Sequence, residues 1–159
     1  FELARYEGYG PGNCSVIIEC LTDNSSRTFN DVRLCFTKTK TKIGTQGSVS
    51  HMFDHLSILK FSNQDEENVL DCLLMADIDV VDIENEDDML TIFSPHDESF
   101  KAKQALAEEF GDIDYEVDEI QFIAQNTVDL TGDDLELFDT FMEMLQDLDD
   151  VQNVFHNVC

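Results

Sequence analysis

The run 15–21, Ser-Val-Ile-Ile-Glu-Cys-Leu, is apolar or β-branched at nearly every step, and turn-forming residues stand on both sides of it. That pattern predicts a strand. Cys14, Val16, Ile18 and Cys20 fall on one face, Ile17 and Leu21 on the other, so burial is expected over most of both faces. Beyond a polar loop at 22–26 the period lengthens to that of a helix. Thr28 with Asp31 reads as a capping box, and Phe29, Val32, Cys35 and Phe36 follow at helical spacing, which places a helix end near Lys40. Gly44 and Gly47 bracket a turn, and 49–59 reads as one extended segment or two.

The middle of the chain alternates more clearly. Asn63 and Glu66 cap a helix that carries Val69, Leu70, Leu73 and Leu74 on one side. Residues 78–83 and 89–93 read as strands joined by the acidic turn 84–88. Ser94-Pro95-His96-Asp97 reads as a helix start, with Phe100, Lys103, Leu106, Ala107 and Phe110 behind it, and 119–124 is a further strand. With 58–61 as the first strand, 57–125 forms a complete βαββαβ unit of ferredoxin-like order. In the tail, Thr131 and Asp134 cap a helix with the stripe Leu135, Phe138, Phe141, Met142, Leu145 and Leu148, and 151–158 reads as a short strand. Each chain end holds a strand and a helix with nothing nearby to cover them. Pairing the two ends gives an α+β protein of two domains: a discontinuous α+β domain from 1–56 plus 126–159, and an inserted ferredoxin-like domain at 57–125.

Charge divides the chain unevenly. Residues 1–60 hold seven basic and six acidic side chains, whereas 61–159 hold Lys101 and Lys103 against 29 acids, within a net charge of −26. An acidic body of this kind repels phosphate backbones. Arg27, Arg33, Lys38, Lys40 and Lys42 form the one basic stretch, with Asp31 alone among them. They are the candidates for contact with nucleic acid or a ribosome, and the ordinary alternative is a solvated helix face. Five cysteines without a C-x-x-C pair read as free thiols in a reducing compartment. No run approaches the ~18 apolar residues of a membrane span. The expectation is a cytoplasmic protein, or one of an organellar matrix in a eukaryote, with no membrane partner. Because the first residue is Phe1, a longer parent chain is expected.

Chemistry is sparse. His51 and His55 have H-x-x-x-H spacing, but on an extended segment and with no Glu after His51. Counted from Asp82, a calcium loop would need Gly and Glu where Asp87 and Phe93 stand. The 44–48 stretch, Gly-Thr-Gln-Gly-Ser, lacks the Lys-Ser/Thr of a phosphate loop. No catalytic constellation, metal site, cofactor or small-molecule substrate is expected. The protein is read as a non-enzyme, its oligomeric state open and a monomer anticipated.

A series of short motifs goes further. Tyr6-Glu7-Gly8-Tyr9-Gly10-Pro11-Gly12 is followed in order by Leu21-Thr22-Asp23-Asn24, by Arg27-Thr28 with Asp31-Val32-Arg33, and by Gly44-Thr45 with Gly47-Ser48-Val49. Met52-Phe53-Asp54-His55 comes next, and the series closes on 149–157, Asp-Asp-Val-Gln-Asn-Val-Phe-His-Asn. Together these resemble the second and third domains of the YebC family, whose mitochondrial relatives are translational activators of cytochrome oxidase subunit I. Two places depart from the family pattern. Thr39-Lys40-Thr41-Lys42-Ile43 stands where Gly-Gly-Asn-Leu is common, and the family's basic N-terminal helical domain is expected to lie outside these 159 residues. The resemblance implies a non-enzymatic regulator of gene expression, a DNA-binding transcriptional regulator or a ribosome-associated translation factor. Its attraction to nucleic acid would lie mainly in the missing domain. The alternative is an acidic adaptor that binds a basic protein. Gly8, Tyr9, Gly10, Pro11 and Gly12 are expected to form a tight turn at a domain junction or facing a ligand, with the glycines free to take positive φ.

Overall fold

A strand with two apolar faces needs a cover on each. β2 (Ser15–Thr22) has both in the computed structural model, which describes residues Phe1–Cys159. Cys14, Val16, Ile18 and Cys20 meet Val32, Cys35 and Phe36 of α1 (Ser25–Lys38) and Phe138, Phe141 and Leu145 of α4 (Gly132–Gln146). On the opposite face Ile17 packs with Val49, Phe53 and Phe122. Phe36 and Phe141 meet edge to face with ring centroids 4.9 Å apart, an arrangement that adds about 0.5–1.5 kcal/mol to simple burial.

β2 lies between β1 (Glu2–Tyr9) and β8 (Val151–His156), antiparallel to both, and two-residue β3 (Lys42–Ile43) completes the order β3-β1-β2-β8. The first and last strands of the chain therefore flank the same central strand. The chain divides into two compact units, Phe1–Asp54 with Phe122–Cys159, and His55–Gln121.

The second unit runs through β4 (Phe53–Ser62), α2 (Glu66–Met75), β5 (Asp82–Glu86), β6 (Met89–Pro95), α3 (Ser99–Phe110) and β7 (Val117–Ala124). Its sheet order, β5-β6-β4-β7, is the ferredoxin-like one. Leu59, Phe61, Leu90 and Ile92 of the sheet close on Val69, Leu73, Ala102 and Leu106 of the two helices.

Several boundaries differ from expectation, each for a local reason. β1 is a strand where only a turn was read, because Glu2, Arg5 and Glu7 interrupt its apolar pattern. α1 begins earlier: Asn24 is its N-cap and accepts from the Arg27 N–H at 3.1 Å, while Thr28 is already inside the helix. The cap of α2 is Asp65, which accepts from the Asn68 N–H at 3.1 Å, and Asn63 instead takes a left-handed φ of 68°. β5 starts at Asp82, and Asp87 and Asp88, both at positive φ, make the tight turn to β6. Ser94 and Pro95 end β6 and lead through a short turn, His96–Glu98, into α3. Thr131 precedes α4 without a side-chain cap bond.

Candidate nucleic-acid interface

The five basic candidates do not form one patch. Arg27 lies in the first turn of α1 and its Nη2 donates to Asp23 Oδ1 and Asp150 Oδ2, each at 2.9 Å. Asp150, just before β8, also accepts from the Thr28 hydroxyl at 2.7 Å; Thr28 Oγ1 in turn lies 2.7 Å from the Thr22 hydroxyl, and Thr22 Oγ1 accepts from the Asn24 N–H. Bonds from Arg27 and Thr28 hold the Asp150 carboxyl below the usual carboxylate range. Arg27 is thereby a clasp between the start of α1 and the start of β8. The cleft around it, about 640 Å³, is lined with Asp23, Asp31, Asp147, Asp149 and Asp150, a poor seat for phosphate.

Arg33, Lys38, Lys40 and Lys42 are all exposed. Arg5 pairs with Glu7, Arg27 with Asp23 and Asp150, and Lys103 with Asp118, whereas these four cations have no ion pair. Arg33 and Lys38 are five residues apart on the helix, about 140° around its axis. Lys38 ends the helix, Lys40 follows at φ 64° and Lys42 opens β3. Three cations thus gather at the carbonyl end of α1, where the helix dipole favours positive charge, and Arg33 stands apart from them.

The glycine stretch is corrected more sharply. Gly8 and Tyr9 belong to β1, and only Pro11–Asn13 forms the short turn into β2. Of the three glycines, Gly12 alone has a positive φ, 69°. Gly8 is required by close approach instead: a Cβ there would lie 2.8 Å from the Gly44 nitrogen and 3.0 Å from the Phe36 ring. A Cβ on Gly12 would collide with Leu130. The stretch therefore packs against the helices and loops of its own unit.

Glu7 escaped the sequence reading because no strand was assigned there to give it a face. It is fully buried, and its Oε1 accepts from the backbone N–H groups of Val49 at 3.0 Å and Ser50 at 2.8 Å. Arg5 Nε lies 3.9 Å from Oε2. Burial works to raise its pKa, but backbone donors from Gly47, Val49 and Ser50, with Arg5, outweigh it and leave the value below the ordinary one. The Gly44 N–H also donates to the Glu7 carbonyl at 2.8 Å, so the 44–50 loop is fastened to β1 at two levels.

His51 is exposed on the turn Ser50–Met52, while His55 in β4 stacks flat on His96 with centroids 3.9 Å apart. No group of three or more His, Cys, Asp or Glu side chains is placed to hold a metal ion. All five cysteines are free, and burial pushes Cys14 and Cys20 up to about 11, which leaves them unreactive thiols. No helix is long and apolar enough to cross a membrane.

Comparison with known proteins places these features in a group. The family model described as TACO1/YebC second and third domain matches residues 1–158. A probable transcriptional regulatory protein of Hydrogenovibrio crunogenus is 67% identical over 99% of this chain and 66% of its own length. One of the same description from Chromohalobacter salexigens is 62% identical over 99% of the chain and 65% of its own length. The chain thus spans just under two thirds of these relatives. A solved structure of a conserved hypothetical protein from Aquifex aeolicus superposes with a TM-score of 0.69 at 27% identity, over 100% of this chain and 65% of that one.

Proposed function

Because the chain belongs to the TACO1/YebC family, as its second and third domains, we propose that the parent protein is a non-enzymatic regulator of gene expression that acts by contact with DNA. The relatives described as probable transcriptional regulatory proteins support this reading at the level of the whole protein. At the level of residues one observation carries it: Arg33, Lys38, Lys40 and Lys42 are exposed and free of ion pairs on a chain of net charge −26. Cations left unpaired amid such an excess of carboxylates are available to phosphate, and such contacts position a protein without reading sequence. The main attraction is assigned to the preceding basic domain, since this body repels a polyanion at long range. The site of action is the cytoplasm.

Binding of the full-length protein to a DNA duplex, measured at two salt concentrations, tests the proposal. Arg33→Ala with Lys38→Ala, Lys40→Ala and Lys42→Ala should weaken binding and flatten its salt dependence, by roughly one unit of slope for each phosphate no longer neutralised. Thermal stability should fall only slightly, because charges at the carbonyl end of α1 contribute about 0.3–1 kcal/mol each at most. Affinity equal to that of the parent would assign these side chains to solvent. Co-sedimentation with ribosomes in the absence of DNA binding would move the function to translation.

A further inference from the structure

The two helices of the inserted unit lie side by side and leave a groove between them. Cys72 Sγ donates to the Ala105 carbonyl at 3.4 Å and Lys101 Nζ to the Asp77 carbonyl at 3.3 Å, so α2 and α3 run antiparallel. The groove, about 580 Å³, has Cys72, Met75, Ala76 and Ala105 along it and Asp71, Glu108 and Glu109 at its edge. Its α2 side is the i, i+3, i+4, i+7, i+8 stripe beginning at Asn68, about 12 Å long. Met75 is 88% exposed, a large apolar side chain left almost uncovered within the chain.

The charge at the edge is unfavourable on its own terms. Glu108 and Glu109 occupy the end of α3, where the helix already presents its partial negative charge, and neither α2 nor α3 has a basic residue in its last turn. The unit as a whole carries 20 acidic against three basic side chains, and its Lys103–Asp118 ion pair does not involve the groove. The field reaches the floor: the Cys72 thiol is raised first by burial and then by Glu109 and Glu108.

We propose that this groove seats a lysine- or arginine-rich amphipathic helix of a protein partner. Its apolar side rests on Met75, Ala76 and Ala105, and its cations reach Asp71, Glu108 and Glu109. The thioether of Met75 adapts to varied apolar surfaces, and a helix laid in a groove is a common mode of recognition. The carboxylates exclude phosphate, so this surface is separate from the DNA reading and stands or falls without it. It gives a residue-level seat to the adaptor alternative.

The probe is a fluorescent synthetic helix of Ala, Leu and Lys, with leucines at i, i+3, i+4 and i+7 and lysines on the flanks. Two controls accompany it, one with Glu for Lys and one with the same residues in scrambled order. Titration of the full 159-residue chain is followed by anisotropy and by backbone amide shifts. The first peptide should bind and shift amides of α2 and α3, whereas the controls should not. Glu108→Gln with Glu109→Gln should weaken it tenfold or more, and Met75→Ser several-fold, at unchanged thermal stability or better. Glu84→Gln with Glu86→Gln, which removes the same charge from exposed β5, should change affinity less than twofold. Equal loss in that control pair, equal binding of the scrambled peptide, shifts spread over the acidic surface, or no binding would each overturn the proposal.

Discussion

The two units follow one plan, two helices against a four-stranded antiparallel sheet, but the chain assembles them differently. The inserted unit is one continuous stretch of chain, His55–Gln121, whose core closes by apolar contact between its sheet and its two helices. In the other unit the central strand β2 pairs with β1 beside it and with β8 from the far end of the chain. Closing so long a loop carries an entropic penalty before any contact forms. That unit accordingly concentrates polar fasteners where its ends meet. Asp150 binds Arg27 and Thr28, the Leu21 N–H donates to the Asp150 carbonyl at 2.9 Å, and the Ser15 N–H donates to Asn157 Oδ1 at 2.9 Å. In the unit built from distant segments these directional bonds specify which segments meet. Buried polar atoms without a hydrogen-bond partner occur in both units: Ser57 Oγ and Ser94 Oγ on paired strands of the inserted one, and Arg5 Nε, Glu7 Oε2 and Ser48 Oγ in the other.

The largest effect that separates the units is expected from Phe141→Ala. It empties the space between α1, α4 and β2 and should lower stability by about 3–5 kcal/mol in urea titration. Amide exchange should rise more in β2 and β8 than in β4 and β6; a uniform rise would mean that the units unfold together. A smaller contrast sets one buried hydroxyl against another. Thr28→Val keeps the shape but removes the bond to Asp150, and should cost about 1–3 kcal/mol. Ser94→Ala removes a hydroxyl with no partner and should cost nothing, or stabilise slightly. Equal losses from the two would remove the distinction drawn between fastened and unfastened polar groups.

The smallest effect lies in pH. Glu7 has a lowered pKa in the folded state, so its contribution is fully present above the unfolded value near ~4.3 and is lost as pH falls through the lower folded value. Glu7→Gln should reduce stability at neutral pH by on the order of 1 kcal/mol and flatten the acid limb of the stability curve. An acid limb identical to that of the parent would show that Glu7 does not titrate in that range. In either case the inserted unit, which has no buried carboxylate of this kind, should show no local change in exchange.

The helices were legible because their apolar stripes are strong, as in Phe138, Phe141 and Leu145. The ferredoxin-like order was legible because strand and helix signals alternate without interruption. β1 was not, since the glycines that signal a turn serve here to let a strand lie against Phe36 and Gly44. Of the candidate site, exposure of Arg33, Lys38, Lys40 and Lys42 agrees with a reading from charge alone, whereas the capture of Arg27 by Asp150 could not be read from positions 123 residues apart. Glu7 went unnoticed for the same reason: its partners, the N–H groups of Val49 and Ser50, leave no mark in the sequence.

By itself the sequence determined the α+β class, the helical stripes, the acidic bias and the membership implied by motifs at both ends. These depend on spacing and composition, which neighbouring residues carry between them. Tertiary structure alone decided which charges are spent on internal bonds, which glycines are needed for room, and which helix faces remain open as a groove. Those properties depend on what distant segments place within a few ångströms of one another, and only the folded chain sets those distances.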